Sequence, residues 1–390
     1  MSSPHFKIPL LGLLIATFGL LGCTATRDVQ RPEAAAANPS PTSLAAAATF
    51  WRQDGYQGLY EIVGDFSHNE LFVAASPSFD ERSSGLIYRL DPVSLSAVQT
   101  IQLLERPFAL ALDARTRTLY AGLTLDGSLA ELDADSGQVK RILKLAQPER
   151  DADGVLATPH TRKVVVDAAN GLIFISSPGE RGRVWIVDAK TFTLKHQVMT
   201  GLWTAGLAYD AASGLLYASQ GGRDELVAID PRTGQIVKRY STGDTHSDEP
   251  KASRHFLLNM ALDAQARRLY LTDSNTNAIL TFDLASGRFG APIATGVKGL
   301  LDIKVLPATG RLVATYRGSG HGETQGSGGV LVYDLASQRL LRNVPLPVHP
   351  NSLAVAPDEK TLYLTVKAPL DRKHELWREN GSDGVVRLGL

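Results

Sequence analysis

The sequence predicts an all-β fold: a seven-bladed β-propeller closed by an N-terminal strand that completes the last blade. Three observations predict it. A short strand phrase returns seven times, as Leu71-Phe72-Val73, Leu119-Tyr120-Ala121, Leu172-Ile173-Phe174, Leu215-Leu216-Tyr217, Leu269-Tyr270-Leu271, Leu312-Val313-Ala314 and Leu362-Tyr363-Leu364, at steps of 43 to 54 residues. Repeats of that length made of strand and turn close into a propeller. Most of the tight A–B and C–D turns open on Asp. The last repeat stops one strand short, after Val385 to Leu388, while Ala46 to Gln53 precedes the first repeat with no partner of its own.

Taken from the N-terminus, the first element is an address. Lys7 precedes an apolar run, Ile8 to Leu21, that is short for a membrane span and has the length of a signal-peptide core. It ends in Leu20-Leu21-Gly22-Cys23, and Cys23 is the only cysteine. The segment resembles the lipobox of bacterial lipoproteins. That resemblance implies a signal peptide over residues 1–22, lipidation of Cys23, and, with Thr24 next, delivery to the outer membrane on its periplasmic side. Residues 23–43 then read as the lipidated Cys and a disordered tether, rich in Ala, Pro, Asn and Ser without apolar periodicity. The propeller occupies residues 44–390. With one cysteine, no internal disulfide can form, so the fold stands on its own core.

Each repeat divides into strands A to D. In the second, A is Phe108 to Asp113, B Thr118 to Leu123, C Ser128 to Asp133 and D Gln138 to Leu145. Inner strands are almost wholly apolar, whereas outer ones alternate with polar residues, as half-exposed sheet requires. The A–B and C–D turns begin at Asp113, Asp167, Asp210 and Asp263, and at Asp91, Asp133, Asp188, Asp230, Asp283 and Asp334. An Asp carboxylate accepts bonds from the amides that follow it, so these aspartates are read as structural.

The two faces differ. Long connections, Ser76 to Ser84, Ala146 to Lys163, Gly243 to Arg254, Arg317 to Gly329 and Lys367 to Gly384, all fall on the D–A and B–C side. Loops on a rigid scaffold carry function, so that face is the candidate ligand face. Residues entering strand A there ring the channel mouth: Arg106, His160, Trp203, Phe256, Leu300 and His349, with Arg254, His255, Lys298, Asn351 and Tyr56 beside them. Cations among aromatic rings suit an anionic ligand with flat groups. The candidate ligand-binding set is Arg106, His160, Trp203, Arg254, His255, Lys298, His349 and Asn351; Lys367 joins it as a phosphate contact.

Enzyme signatures are absent. His374-Glu375-Leu376-Trp377-Arg378 lacks the second His of a metalloprotease helix, and no nucleophile elbow occurs. Gly318-Ser-Gly-His-Gly322 leads into a strand rather than a helix, so it is no phosphate cradle. No cofactor is expected, although Asn259, Asn351 and Asp302 are candidates for a channel metal in a hydrolase or lactonase reading. Forty basic against forty acidic side chains argue against a surface coated by nucleic acid and leave room for a local patch.

Three longer phrases carry a family resemblance: Gly85-Leu-Ile-Tyr-Arg-Leu-Asp91-Pro92, His255-Phe-Leu-Leu-Asn259-Met-Ala-Leu-Asp263, and His349-Pro350-Asn351-Ser352-Leu353-Ala354 with Lys360 to Lys367. They resemble the YncE-like proteins of the YVTN β-propeller family, in register from about residue 70 to 390. The resemblance implies a seven-bladed periplasmic propeller that binds single-stranded DNA through the face carrying the channel. The expectation is a monomeric, non-enzymatic binding lipoprotein for single-stranded DNA or another anionic polymer. An envelope protein–protein scaffold and a propeller-type hydrolase are the alternatives.

Overall fold

Aspartate turns set the strand lengths. Asp91 Oδ1 accepts from the amides of Val93 (3.0 Å) and Ser94 (2.7 Å), Asp133 Oδ1 from Asp135 (3.1 Å) and Ser136 (2.9 Å), and Asp334 Oδ1 from Ser337 (2.7 Å). Asp113, Asp210, Asp263 and Asp358 do the same in A–B turns. In a computed structural model, which describes residues 49–78, 80, 83–150, 154–244, 252–320, 323–346 and 349–390, these turns join seven antiparallel sheets. The lipobox, Cys23 and the tether lie outside the described residues.

Strand A of the seven blades runs Leu59–Asp65, Pro107–Asp113, Lys163–Asp167, Thr204–Asp210, Leu257–Asp263, Leu300–Leu306 and His349–Val355. Each lies against strand A of the next blade, and the first lies against the seventh, so the ring is closed. The closing strand is Phe50–Tyr56, slightly later than the sequence suggests; it pairs antiparallel with Asp383–Gly389, Phe50 opposite Leu388 and Tyr56 opposite Asp383. Blade 5 departs from four full strands. Gly290 and Pro292 break its outer strand into Arg288–Phe289 and Ile293–Ala294, both paired to Ala278–Asp283. The long loop after blade 2 also contains a small ladder, Glu149–Arg150 with Leu156–Ala157.

The core is divided among the blade junctions. Seven apolar clusters fill the seven interfaces, for example Leu110, Leu119 and Leu123 with Phe72, Ile87 and Leu103 between blades 1 and 2. The fully buried Trp185 anchors blade 3, its indole N–H donating to Gln197 Oε1 at 2.9 Å. Outer strands such as Val139–Lys144 alternate half-buried and exposed, while Thr118–Leu123 is buried throughout. Burial therefore falls off outward, as the sequence patterning requires.

On the tight-turn face, ion pairs fasten neighbouring blades. Arg117 bonds Asp65 and Glu70 of blade 1 as well as Asp135, and Arg267 of blade 5 bonds Asp210 of blade 4. Both arginines hold the left-handed turn position (φ 51° and 55°) that Gly171, Gly214 and Gly310 occupy in other blades. That backbone costs a non-glycine residue roughly 1 kcal/mol. Here it aims the guanidinium at a carboxylate of the preceding blade.

Candidate functional site

The channel is shaped by a bulge near the start of strand A. In blades 4 to 7 the A–B register slips there, between Thr204 and Leu207, Leu257 and Met260, Leu300 and Ile303, and Pro350 and Leu353. A slip leaves one strand-A amide without its ladder partner. A strand-B hydroxyl replaces it: Gly206 N donates to Ser219 (2.8 Å), Asn259 N to Thr272 (3.1 Å), Asp302 N to Thr315 (3.0 Å) and Ser352 N to Thr365 (3.1 Å). Several of these hydroxyls then donate onward to a carbonyl of the next blade. Ser219 reaches Leu258 O (2.6 Å), Thr272 reaches Leu301 O (3.1 Å), and Thr365 reaches Tyr60 O (2.7 Å), closing blade 7 onto blade 1.

One strand-A residue per blade stands at this level toward the axis: Glu61, Ala109, Lys163, Gly206, Asn259, Asp302 and Ser352, the first six four places before the last residue of the A–B register and Ser352 three before Val355; the register also slips in blades 1 and 2, whereas blade 3 pairs without a slip. Across this level Lys163 pairs with Glu61, and Arg162 Nη1 donates to Asn259 Oδ1 at 3.0 Å. Burial opposes the charge of Lys163, but Glu61 and Asp302 outweigh it and hold its pKa above the ordinary lysine value. Burial likewise disfavours ionised Asp302. Lys304, Lys163 and the amides of Leu353 and Ile303 prevail and lower its pKa. Two of the three residues weighed above for a channel metal are engaged: Asn259 gives its oxygen to Arg162 and its amide to Leu301 O (2.9 Å), and Asp302 accepts from Ile303 N and Leu353 N (both 3.0 Å).

Above that level lies the mouth. Arg317, just past strand B of blade 6, is partly exposed and forms no hydrogen bond or ion pair with a described residue through its guanidinium. It stands close enough to Tyr60, Arg162, His349 and Lys367 to perturb or be perturbed by each. Lys367 Nζ donates to Leu59 O (2.8 Å), pairs with Asp383 (3.3 Å), and sits 4.0 Å over the Tyr60 ring. Burial pushes the pKa of Arg162, Arg317 and Lys367 below ordinary values. His349 meets His374 edge-on at 4.9 Å, and the Nε2 atoms of both rings are buried without a partner. His374 Nδ1 accepts from Leu376 N (3.2 Å), so its neutral ring carries the proton on Nε2 and presents a free donor.

The residues proposed from sequence separate into smaller groups. His349 belongs to the mouth just described, and Asn351, partly exposed, lies two residues along the same strand. Arg106 is buried and committed to Asp126 (3.0 Å) and the carbonyl of Asp80 (2.8 Å). His160 lies beside it, its pKa lowered by burial and then by Arg106. Trp203 packs against Phe256 with the rings tilted at 55° and their centroids 5.7 Å apart. Lys298 is exposed and pairs with Glu323 (2.6 Å). Arg254 and His255 belong to a carboxylate cluster between blades 4 and 5. Sequence reasoning aligned the blades at the entry to strand A, three residues short of the level that faces the axis. Allowing for the bulges would have brought out Glu61 and Asp302, and Lys163 lies at the same level in the unbulged blade 3; Arg317, in a glycine-rich loop, gave no such signal.

No protein-family profile matches the chain. It is similar to a protein of Salmonella typhi described as uncharacterized protein YncE, 32% identical over 352 residues, covering 90% of this chain and 94% of that protein. YncE of Escherichia coli strain K12 is 31% identical over the same span and coverage. A more distant similarity, 24% over 284 residues, covers 68% of this chain and 52% of Antigen Lp49 of Leptospira interrogans.

Proposed function

The chain belongs to the YncE family, and from that premise we propose that it is an exported, lipid-anchored, non-enzymatic binding propeller whose channel mouth holds an anionic ligand, single-stranded DNA foremost. The observation that carries the reading is Arg317. A partly buried guanidinium with no acceptor among the described residues is an unmet demand for an anion. Lys367 and Arg162 stand near it, and the carboxylates Glu61, Asp302 and Asp383 are already engaged by Lys163, backbone amides and Lys367. The Nε2–H of His374 adds a neutral donor. Engaged carboxylates also favour binding over acid–base catalysis, which needs a carboxyl free to exchange a proton.

The test is anisotropy of a labelled single-stranded oligonucleotide with the purified full-length protein across a salt series, with Arg317→Gln beside wild type. Affinity falls as salt rises, by about 0.7 log units per log unit of salt for each phosphate held. Arg317→Gln removes about one such contact from that slope and weakens binding at low salt. Absence of low-salt binding, or binding indifferent to Arg317, rejects nucleic acid at this mouth and leaves the scaffold reading.

A further inference from the structure

A second cluster lies at the junction of blades 4 and 5. Asp224 comes from the B–C loop of blade 4, Asp244 and His255 from the connection into blade 5, and Asp273 from the end of strand B of blade 5. One ligand-type atom from each of Asp224, Asp244 and His255 lies within 4.8 Å of the other two.

Two features separate this group from an ordinary ion-pair network. His255 Nδ1 is 2.5 Å from Asp273 Oδ2, and Asp273 is itself held by Phe256 N (2.8 Å), Asn275 N (3.1 Å) and the Thr276 hydroxyl. A carboxylate behind an imidazole, itself fixed by further bonds, is the arrangement that orients a metal-ligating His. The other nitrogen, Nε2, faces both oxygens of Asp244 at 3.0 Å. Independently, Asp224 is only 6% exposed; its Oδ1 accepts from the Ser253 hydroxyl, while Oδ2 is buried with no partner. A buried ionised oxygen without a donor is costly, and a cation is what it lacks. Three carboxylates meet one imidazole here, and Arg254 reaches the outer one, Asp244, at 3.4 Å.

We infer that Asp224, Asp244 and His255 form a binding site for a divalent transition ion, zinc first, with Asp273 as the positioning residue behind His255. An imidazole ligand selects zinc-like ions over calcium and magnesium, which prefer all-oxygen sites. The ion replaces the proton on Nε2, which leaves to solvent, and takes one oxygen from each of Asp224 and Asp244; water completes four-coordination. Zinc–donor bonds of about 2.0–2.1 Å place donors about 3.3 Å apart, so the cluster contracts by at most about 1.5 Å. Asp244, whose side chain is 39% exposed, supplies that movement and the entry path.

The experiment is calorimetric titration of the chelator-treated full-length protein with zinc chloride, and with calcium and magnesium chloride in parallel. The expected result is one equivalent of zinc bound and no heat from calcium or magnesium. Asp224→Asn weakens zinc binding at least tenfold, Asp273→Asn weakens it about 10- to 100-fold, and His374→Gln leaves it unchanged, which separates this site from the His349–His374 pair. Absence of stoichiometric zinc binding by wild type, or full binding by Asp224→Asn, overturns the inference. Should Asp224→Asn fail to fold, Asp244→Asn on the exposed side carries the same test, with circular dichroism as the folding check. Cobalt in place of zinc gives a second readout: visible bands of a four-coordinate site present in wild type and lost in either Asn variant. The channel-mouth reading does not depend on either result.

Discussion

Replacing His349 by Gln should make the protein more resistant to acid. The folded imidazole has a pKa of about 4 against an ordinary 6.5, lowered by burial, then by the Arg317 cation and by His374. The unfolded chain takes up a proton near 6.5 that the folded chain refuses until about pH 4. Above pH 6.5 the two states bind equally and His349 has no effect on stability. As pH falls the unfolded state gains, and the penalty on the folded state grows until it levels off below about 4. At pH 5 the difference in proton binding amounts to about 2 kcal/mol, or about 1–2 kcal/mol after allowing for the partial exposure of the ring. Gln is neutral throughout and removes the term. The assay is urea unfolding of both proteins at pH 7 and pH 5: carboxylates common to both cancel, and wild type should lose about 1–2 kcal/mol more than the variant. Arg317→Gln should recover part of that loss, since it removes one cause of the low pKa. Equal losses in wild type and His349→Gln would refute the placement of a neutral imidazole beside the Arg317 cation.

Three further outcomes follow from the packing. Thr272→Val, nearly isosteric, strips the bond from Asn259 N and weakens the hold on Leu301 O, which keeps Asn259 Nδ2; the expected cost is about 1–3 kcal/mol in urea unfolding, and no loss would mean the hydroxyl relay contributes nothing. Arg117→Met leaves Asp65, whose side chain is 1% exposed, buried without its cation and should cost about 3–5 kcal/mol, with Asp65→Asn in the same chain restoring part of it. Deleting residues 1–56 bares the edge of Asp383–Gly389; size-exclusion chromatography should show aggregates, and a monomer of unchanged melting temperature would refute closure as a source of stability.

Repeat spacing, Asp-led turns and the missing last strand are local signals, and each led to the architecture seen. Asp91, Asp133 and Asp334 could be read in advance as turn residues because their partners lie two or three residues away. The mouth was less legible for a physical reason. Lys163 meets Glu61 across 102 residues and Arg162 meets Asn259 across 97, so neither pair has a local signature. The strand-A bulges shifted which residue faces the axis, and a register slip leaves no mark in apolar alternation. Arg106 and Lys298 looked like free cations in the sequence, yet the carboxylates that occupy them, Asp126 and Glu323, lie 20 and 25 residues further on. The broken outer strand of blade 5 could have been anticipated from Gly290 and Pro292, which interrupt it.

The closing strand also orients the molecule. Because Phe50 lies opposite Leu388 and Tyr56 opposite Asp383, the chain arrives on the side of the tight turns and leaves toward the long loops. The C-terminus stays on the arrival side, with Gly389 N bonded to Thr49 O and Leu390 N to Lys360 O. Thr49 and the C-terminus therefore both lie on the turn side, at the opposite end of the blades from the channel mouth. A reporter fused at Leu390 would hang on the turn side and leave the mouth clear.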